Sequence, residues 1–540
     1  MSKEKNLRLH HAPIKKFTSF FLYPFYSDNA IKPTGKWSQP PFEIPETMDK
    51  LKNKWGLQKN YAEYIYFHDF VRAFLFPKAP KLDEGNQDKN IEENIVQFYR
   101  HQLTDAIVSI ESLEGKEISA ILAGIYLYRF PNKIWILVIE TSNTKDDEEG
   151  DEVKNENTND SLISRGDQLL LFNNMFRRVY PSFFEKDNPL AQMKTNEFPK
   201  KVSIVSDDFS FSETYSLDTV YLKPIPSSQG ADGERHYPVF KSPITALLGS
   251  FFNLNEEKKM YPILDDRMLV HSYVAFQSDV KDMVTLDQDD IFFSHFMYID
   301  NPDFGYRYNK SFILNLMQKH EYTRWTHWRT RMGFTRYSSM FMFFDHIGYV
   351  YRPFISMYFQ MFLLITYYRA SLIRFSNEIA EIAKDFQTEN KDIPKKLKTD
   401  LRDLHTRFMK FMNVHWFTEV SNQDQGIELF QKMRDAFEIE PMYDQVKDEI
   451  ERADELVELI HQQKIERFQD SAGKIGLTFA FLAVITGFLG MNFTEVEYLR
   501  NNFWNDFNVF KAISVTVVGP MVVIFMWICF KIIKKVFHSD

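Results

Sequence analysis

Asp444, Asp448, Glu449, Glu451, Asp454, Glu455 and Glu458 crowd one stretch of the chain, against only Lys447 and Arg452. At helical spacing Asp444/Asp448, Glu451/Glu455 and Asp454/Glu458 are like-charge neighbours four residues apart, which repel. A hard divalent cation bridging carboxylates removes that repulsion. This makes Asp444, Asp448, Glu451, Asp454, Glu455 and Glu458 a candidate regulatory metal set, with a solvated acidic face as the plainer alternative. Further on, Gly490-Met491-Asn492 closes a charge-free run from Ile475 to Thr494. A polar Asn at the end of such a run is costly in an apolar medium unless it meets water, a partner or a permeating species. Its placement points to a conduction path.

The elements that would position these groups are helical. From Pro441, a favourable first-turn residue, Met442, Val446, Ile450, Ala453, Val457 and Ile460 recur at spacings of four and three, a coiled-coil-like seam. No Gly or Pro intervenes before Gly473. The pattern predicts one helix continuing to Asn492, roughly 75–80 Å long at about 1.5 Å per residue. A rod of that length needs neighbours for its seam, most simply further copies of itself. A second charge-free run, Ala512–Phe530, follows a short loop. Each run approaches the ~20 residues a helix needs to cross a bilayer. The sequence therefore predicts two C-terminal transmembrane helices, at 474–494 and 512–531, joined by an external loop at 495–511. Lys464, Arg467 and Lys474 before the first run and Lys531, Lys534 and Lys535 after the second place both termini in the cytoplasm. The expected location is the plasma (inner) membrane, as a multi-pass protein with a basic tail at 532–540.

Upstream, a helical stalk is expected over 350–473. Pro353–Tyr368 is charge-free but carries Ser356, Gln360 and Thr366, so it predicts a buried helix running to about Phe386 rather than a third span. Another helical stretch is expected over 395–437, broken near Gly426. Residues 1–345 predict a cytoplasmic α/β domain. Ile118–Tyr128 and Ile134–Glu140 have strand composition and are separated by Pro131-Asn132. Residues 142–167 include an acidic run without apolar periodicity, expected as a disordered loop. The fold class is thus an α+β domain, a long helical stalk and two transmembrane helices.

Composition narrows the function. The 540-residue chain carries a net charge of −9, which disfavours nucleic acid as a partner. The stretch His320–Arg336 interleaves Arg with Trp and Tyr, and packing with cation–π pairing inside the domain accounts for it. The single cysteine, Cys529, allows no disulfide framework or CxxC zinc site. No P-loop, GxSxG, HExxH or Gly-rich dinucleotide turn accompanies these features, so an enzyme is not expected.

Over about the last 190 residues the chain resembles the CorA family of magnesium transporters. The resemblance rests on the long helix leading into GFLGMNF at Gly487–Phe493, the short acidic loop, the second apolar run and the basic KIIKK tail; WFTEVSNQDQG at Trp416–Gly426 also resembles segments of large CorA-like proteins. It implies a homopentamer in the lipid bilayer, a funnel of long helices, and Gly490, Met491 and Asn492 as the ion filter. Asn492 amide oxygens would hydrogen-bond the hydration shell of Mg²⁺, an ion that dehydrates reluctantly. Gly476, Ala480, Ala483 and Gly487 would line the pore, and Glu495 and Glu497 would gather cations at its mouth. Two departures stand out: this stripe is small where the family has bulky apolar residues, and Leu489 replaces the usual Tyr. The resemblance implies divalent-cation transport, Mg²⁺ as transported and possible regulatory ion, with Zn²⁺, Co²⁺ or Ni²⁺ as other cargoes. The alternative is a membrane-tethered sensor, scaffold or enzyme that transports nothing.

Overall fold

Phe20 and Phe21 are neighbours on the strand that organises the fold, and they face opposite ways, as successive strand residues must. The computed structural model describes residues 7–27, 33, 37–38, 66–76, 96–112, 115–144, 161–179, 199–214, 221–224, 236–239, 243–252, 260–264, 267–301, 308–386, 395–490 and 527. It forms two compact units, Met1–Asp454 and Glu455–Asp540.

Among the described residues the first unit is built on a 13-stranded mixed sheet. Its main strands are β1 (Ile14–Tyr26), β2 (Gln97–His101), β3 (Ile107–Glu111), β4 (Glu117–Phe130), β5 (Ile134–Ser142), β6 (Lys201–Val205), β7 (Ser210–Thr214), β8 (Leu269–Phe276), β9 (Arg331–Thr335) and β10 (Ser338–Phe344). Their spatial order is β9-β10-β8-β1-β5-β4-β3-β6-β7, with β2 also on β4. The short strands Glu321–Tyr322, Trp37–Ser38 and Tyr261–Pro262 join at β9, β2 and β1. The β8–β10 pairing is parallel and the other pairings of named strands are antiparallel.

Helices cover both faces. On one side lie α1 (Gly166–Phe176) and α2 (Leu286–Tyr298), with Phe21 against Phe172 and Phe176 at ring separations of 6.1 and 4.8 Å. On the other lies α3 (Phe359–Phe386), with Phe20 against Phe359 at 4.6 Å. Coverage on both faces explains why β1 is buried nearly throughout, without alternation. The β4–β5 hairpin follows the sequence expectation: it turns at Pro131–Lys133, where Asn132 takes the left-handed conformation at φ 60°. The interleaved stretch packs inward as expected, with Arg329 over Phe344 at 4.6 Å and Arg331 over Phe293 at 4.8 Å, though Trp328 is exposed.

α4 (Lys395–Lys410), α5 (Asp424–Ala436) and α6 (Ile439–Gly490) follow α3 in the chain. The break in the 395–437 stretch falls before Gly426: a π turn at Phe411–His415 ends α4, and α5 starts at Asp424. α3 reaches Phe386 and is buried over Phe359–Leu372, in keeping with a core helix rather than a span.

The membrane expectations are corrected. Among the described residues no helix is long and apolar enough to cross a membrane. Among the described residues the fold is a large mixed sheet with helices, and none of these helices is a transmembrane helix of the kind that the expected two-span, multi-pass arrangement requires. Of the charge-free run, the described part of α6 covers Ile475–Gly490, which rises about 24 Å against a hydrocarbon core of ~30 Å. Met491–Thr494, the loop with Glu495 and Glu497, the run Ala512–Phe530 other than Trp527, and the basic tail lie outside the described residues, as do residues 145–160 of the acidic run.

Candidate functional site

The acidic stretch is presented by the first turns of α6, and buried groups set where that helix begins. α5 stops at Ala436, Glu438 adopts a left-handed conformation at φ 54°, and α6 starts at Ile439. Arg434 secures the corner. Its guanidinium is almost fully buried, donates to the Phe417 carbonyl at 2.8 Å and pairs with Glu440 in the first turn of α6. It also lies over Trp416 at 5.2 Å. Burial pulls Arg434 below the usual arginine range, the expected cost of desolvating a cation. Trp416 in turn packs on Tyr368 at 5.0 Å and Tyr443 at 4.9 Å. A second pair, Arg336 with Glu438, lies at the surface.

Val446 and Ile450 are buried, so this part of the predicted seam is satisfied within its own chain. Between them and solvent, Glu449 accepts from Ser376 at 3.1 Å and from Gln445 at 2.8 Å. Asp454 meets the Nδ1 of His405 on α4. The remaining carboxylates face water. Asp444, Asp448, Glu451, Glu455 and Glu458 are exposed. Asp448 lies 3.9 Å from Arg452 and Glu451 lies 3.8 Å from Lys447. Such pairs are worth only about 0.3–0.5 kcal/mol each, but they relieve the like-charge contacts that the spacing predicts. Among the described residues no group of three or more His, Cys, Asp or Glu side chains is placed to hold a metal ion.

In the second unit, Leu456, Leu459, Ile465, Phe468, Leu477, Phe479 and Phe481 are exposed on α6, Leu477 and Phe468 at 77% and 71%. Gly476, Ala480, Ala483 and Gly487 are exposed as well. A side chain added at Gly476 or Gly487 would meet nothing within 4 Å. Gly490 is the last described residue of α6; Met491 and Asn492 lie outside the described residues.

Sequence reasoning found the acidic face but missed its supports. His405 and Asp454 are 49 positions apart, and Arg434 reaches back to the Phe417 carbonyl across 17. Neither relationship has a local spacing that would announce it.

No protein-family model, curated protein or solved structure matches this chain. The CorA resemblance thus stands on the residues that carry it: the long helix, GFLGMNF, and the composition of the segments that follow.

Proposed function

We propose that this chain handles divalent cations, Mg²⁺ first, as a transporter assembled from several copies of itself along α6. The observation that carries this reading is the pairing of a 52-residue helix with an exposed apolar surface over Leu456–Phe481 and the Gly490-Met491-Asn492 ending. Exposed aromatic and aliphatic groups on this scale call for a covering surface. Copies around an axis supply it and bring several Asn492 amides together. A ring of neutral amide oxygens suits an ion that keeps its water, because it binds weakly enough to let the ion leave. Small residues at Gly476, Ala480, Ala483 and Gly487 allow close approach of neighbouring helices.

A second reading is favoured by the lack of a described bilayer-crossing helix. In it the same assembly senses divalent cations through its acidic faces and moves none. Reconstitution with liposomes separates the two. Uptake of Mg²⁺, followed with an entrapped indicator against a panel of Zn²⁺, Co²⁺ and Ni²⁺, supports transport. Oligomers that bind Mg²⁺ but give no uptake above empty vesicles support the sensor and end the transport reading.

A further inference from the structure

We propose that the turn Leu9–His11 is an acid-released latch, closed at neutral pH by the contact between His10 and His295. The inference is independent of the cation reading and rests on the geometry of the first unit.

The turn ties together elements far apart in sequence. Leu9 is fully buried. Its carbonyl presses on the start of α1, where a Cβ on Gly166 would sit 2.4 Å from the Leu9 oxygen and 2.8 Å from the Phe292 ring. Only glycine fits there. The Gly166 amide donates to the Ala12 carbonyl at 3.3 Å, and the Ile14 amide donates to Ser164 at 2.8 Å. His10 closes the arrangement against α2. Its ring meets Phe292 edge-on at 5.4 Å, and its Nε2 lies 3.1 Å from the Nδ1 of His295.

That nitrogen–nitrogen contact has a protonation requirement. One ring must offer N–H and the other a lone pair. With both imidazoles protonated, two donors confront each other and two positive charges repel across 3.1 Å. The charged surroundings of His10 are Arg8 and His11 on its own segment, His295 from α2 and Asp167 from α1. Asp300, near His295, is held above the usual carboxylate range, first by burial. Of the groups around His10, only Asp167 favours its charged form, and Asp167 is shared with Arg165 at 3.1 Å and His11 at 3.7 Å. Burial, followed by His295, holds His10 down at about 4, from an ordinary 6.5. A released His10 takes up a proton more readily than a latched one. The latch is therefore at full strength above about pH 6.5 and is lost as pH falls toward about 4.

The test is hydrogen exchange on the full chain at about pH 7.5 and about pH 5, corrected for the intrinsic pH dependence of exchange, following the amides of Ala12, Ile14 and Gly166; linkage between 6.5 and 4 predicts about a 30-fold fall in their protection. His10→Gln should abolish that fall, and His11→Gln, at an exposed position, should retain it. Should His10→Gln already be open near neutral pH, His295→Gln takes its place and should diminish the fall, since it removes the second cause that holds His10 down while burial remains. Equal wild-type protection at both pH values, or an undiminished fall in the variants lacking one ring of the pair, overturns the proposal.

Discussion

The Nε2 of His271, on β8, lies 3.1 Å from the carbonyl oxygen of Phe354, at the start of the π turn Phe354–Tyr358 that leads into α3. A carbonyl can only accept, so Nε2 carries the proton. Nδ1 is then the acceptor for the Ser339 hydroxyl at 2.9 Å. The ring is fully buried and stacks on Phe354 at 4.2 Å. One neutral tautomer thus joins β8, β10 and the helical layer.

Burial holds His271 at about 3, well below its ordinary value, with the Phe354 hydrogen bond opposing in part. A depressed histidine stabilises fully above about pH 6.5 and loses that contribution as pH falls toward about 3, at about 1.4 kcal/mol per pH unit. His271→Phe leaves the Ser339 hydroxyl and the Phe354 carbonyl without this partner, so it should cost about 2–4 kcal/mol at neutral pH. It should also flatten the acid limb of the stability curve, leaving the share due to His10. Urea unfolding from neutral to acid pH checks both; an unchanged acid limb would refute the assignment.

Arg434→Met should loosen the root of α6. The substitution removes the donor to Phe417 and the cation over Trp416, and we expect a loss of about 2–4 kcal/mol. Glu440 is half exposed, so Glu440→Gln alone should cost under about 1 kcal/mol. Hydrogen exchange over 442–450 reports the effect. If Arg434→Met leaves those amides as protected as before, the corner is held by apolar packing alone.

Parts of this architecture were legible because they are local. Apolar β-branched runs around Pro131 announced the β4–β5 hairpin, and the Ser, Gln and Thr within Pro353–Tyr368 marked a buried helix. The width of the sheet was not legible. Phe17 pairs with Val274 and Val270 pairs with Ser338, and no pattern within either strand names such a distant partner. The membrane hairpin expected over Ile475–Thr494 and Ala512–Phe530 is corrected: among the described residues no helix is long and apolar enough to cross a membrane, and freedom from charge does not by itself specify a span. The partner of Asp454, His405, was not legible either, because it lies on another helix.

Assembly makes a direct prediction. The purified chain should have the mass of a symmetric oligomer, a pentamer by the CorA resemblance. Leu459→Glu with Phe468→Glu should break it down without lowering the melting temperature of the first unit, since both side chains are exposed and charge on a shared apolar face is strongly disfavoured. A stable wild-type monomer would remove the basis for any central pathway.

Cation feedback is tested on the acidic face. If copies meet there, Mg²⁺ should raise protease resistance by bridging carboxylates of neighbouring chains, with an effect bounded by its difference in affinity between the two states. Changing Asp444, Asp448, Glu451, Asp454, Glu455 and Glu458 to Asn or Gln should abolish the response. His405→Gln, which removes only the partner of Asp454, should preserve it. Resistance that is the same with and without Mg²⁺ would make the acidic stretch a solvated face and nothing more.

The measurement that bears most directly on the account is Mg²⁺ uptake into liposomes by wild-type protein and by Asn492→Ala, compared at equal oligomer content. Alanine offers no oxygen to the ion's water shell, so the account predicts wild-type uptake well above empty vesicles and loss of selective uptake in the variant. Wild-type uptake from Asn492→Ala, or no uptake from the wild type, would contradict it.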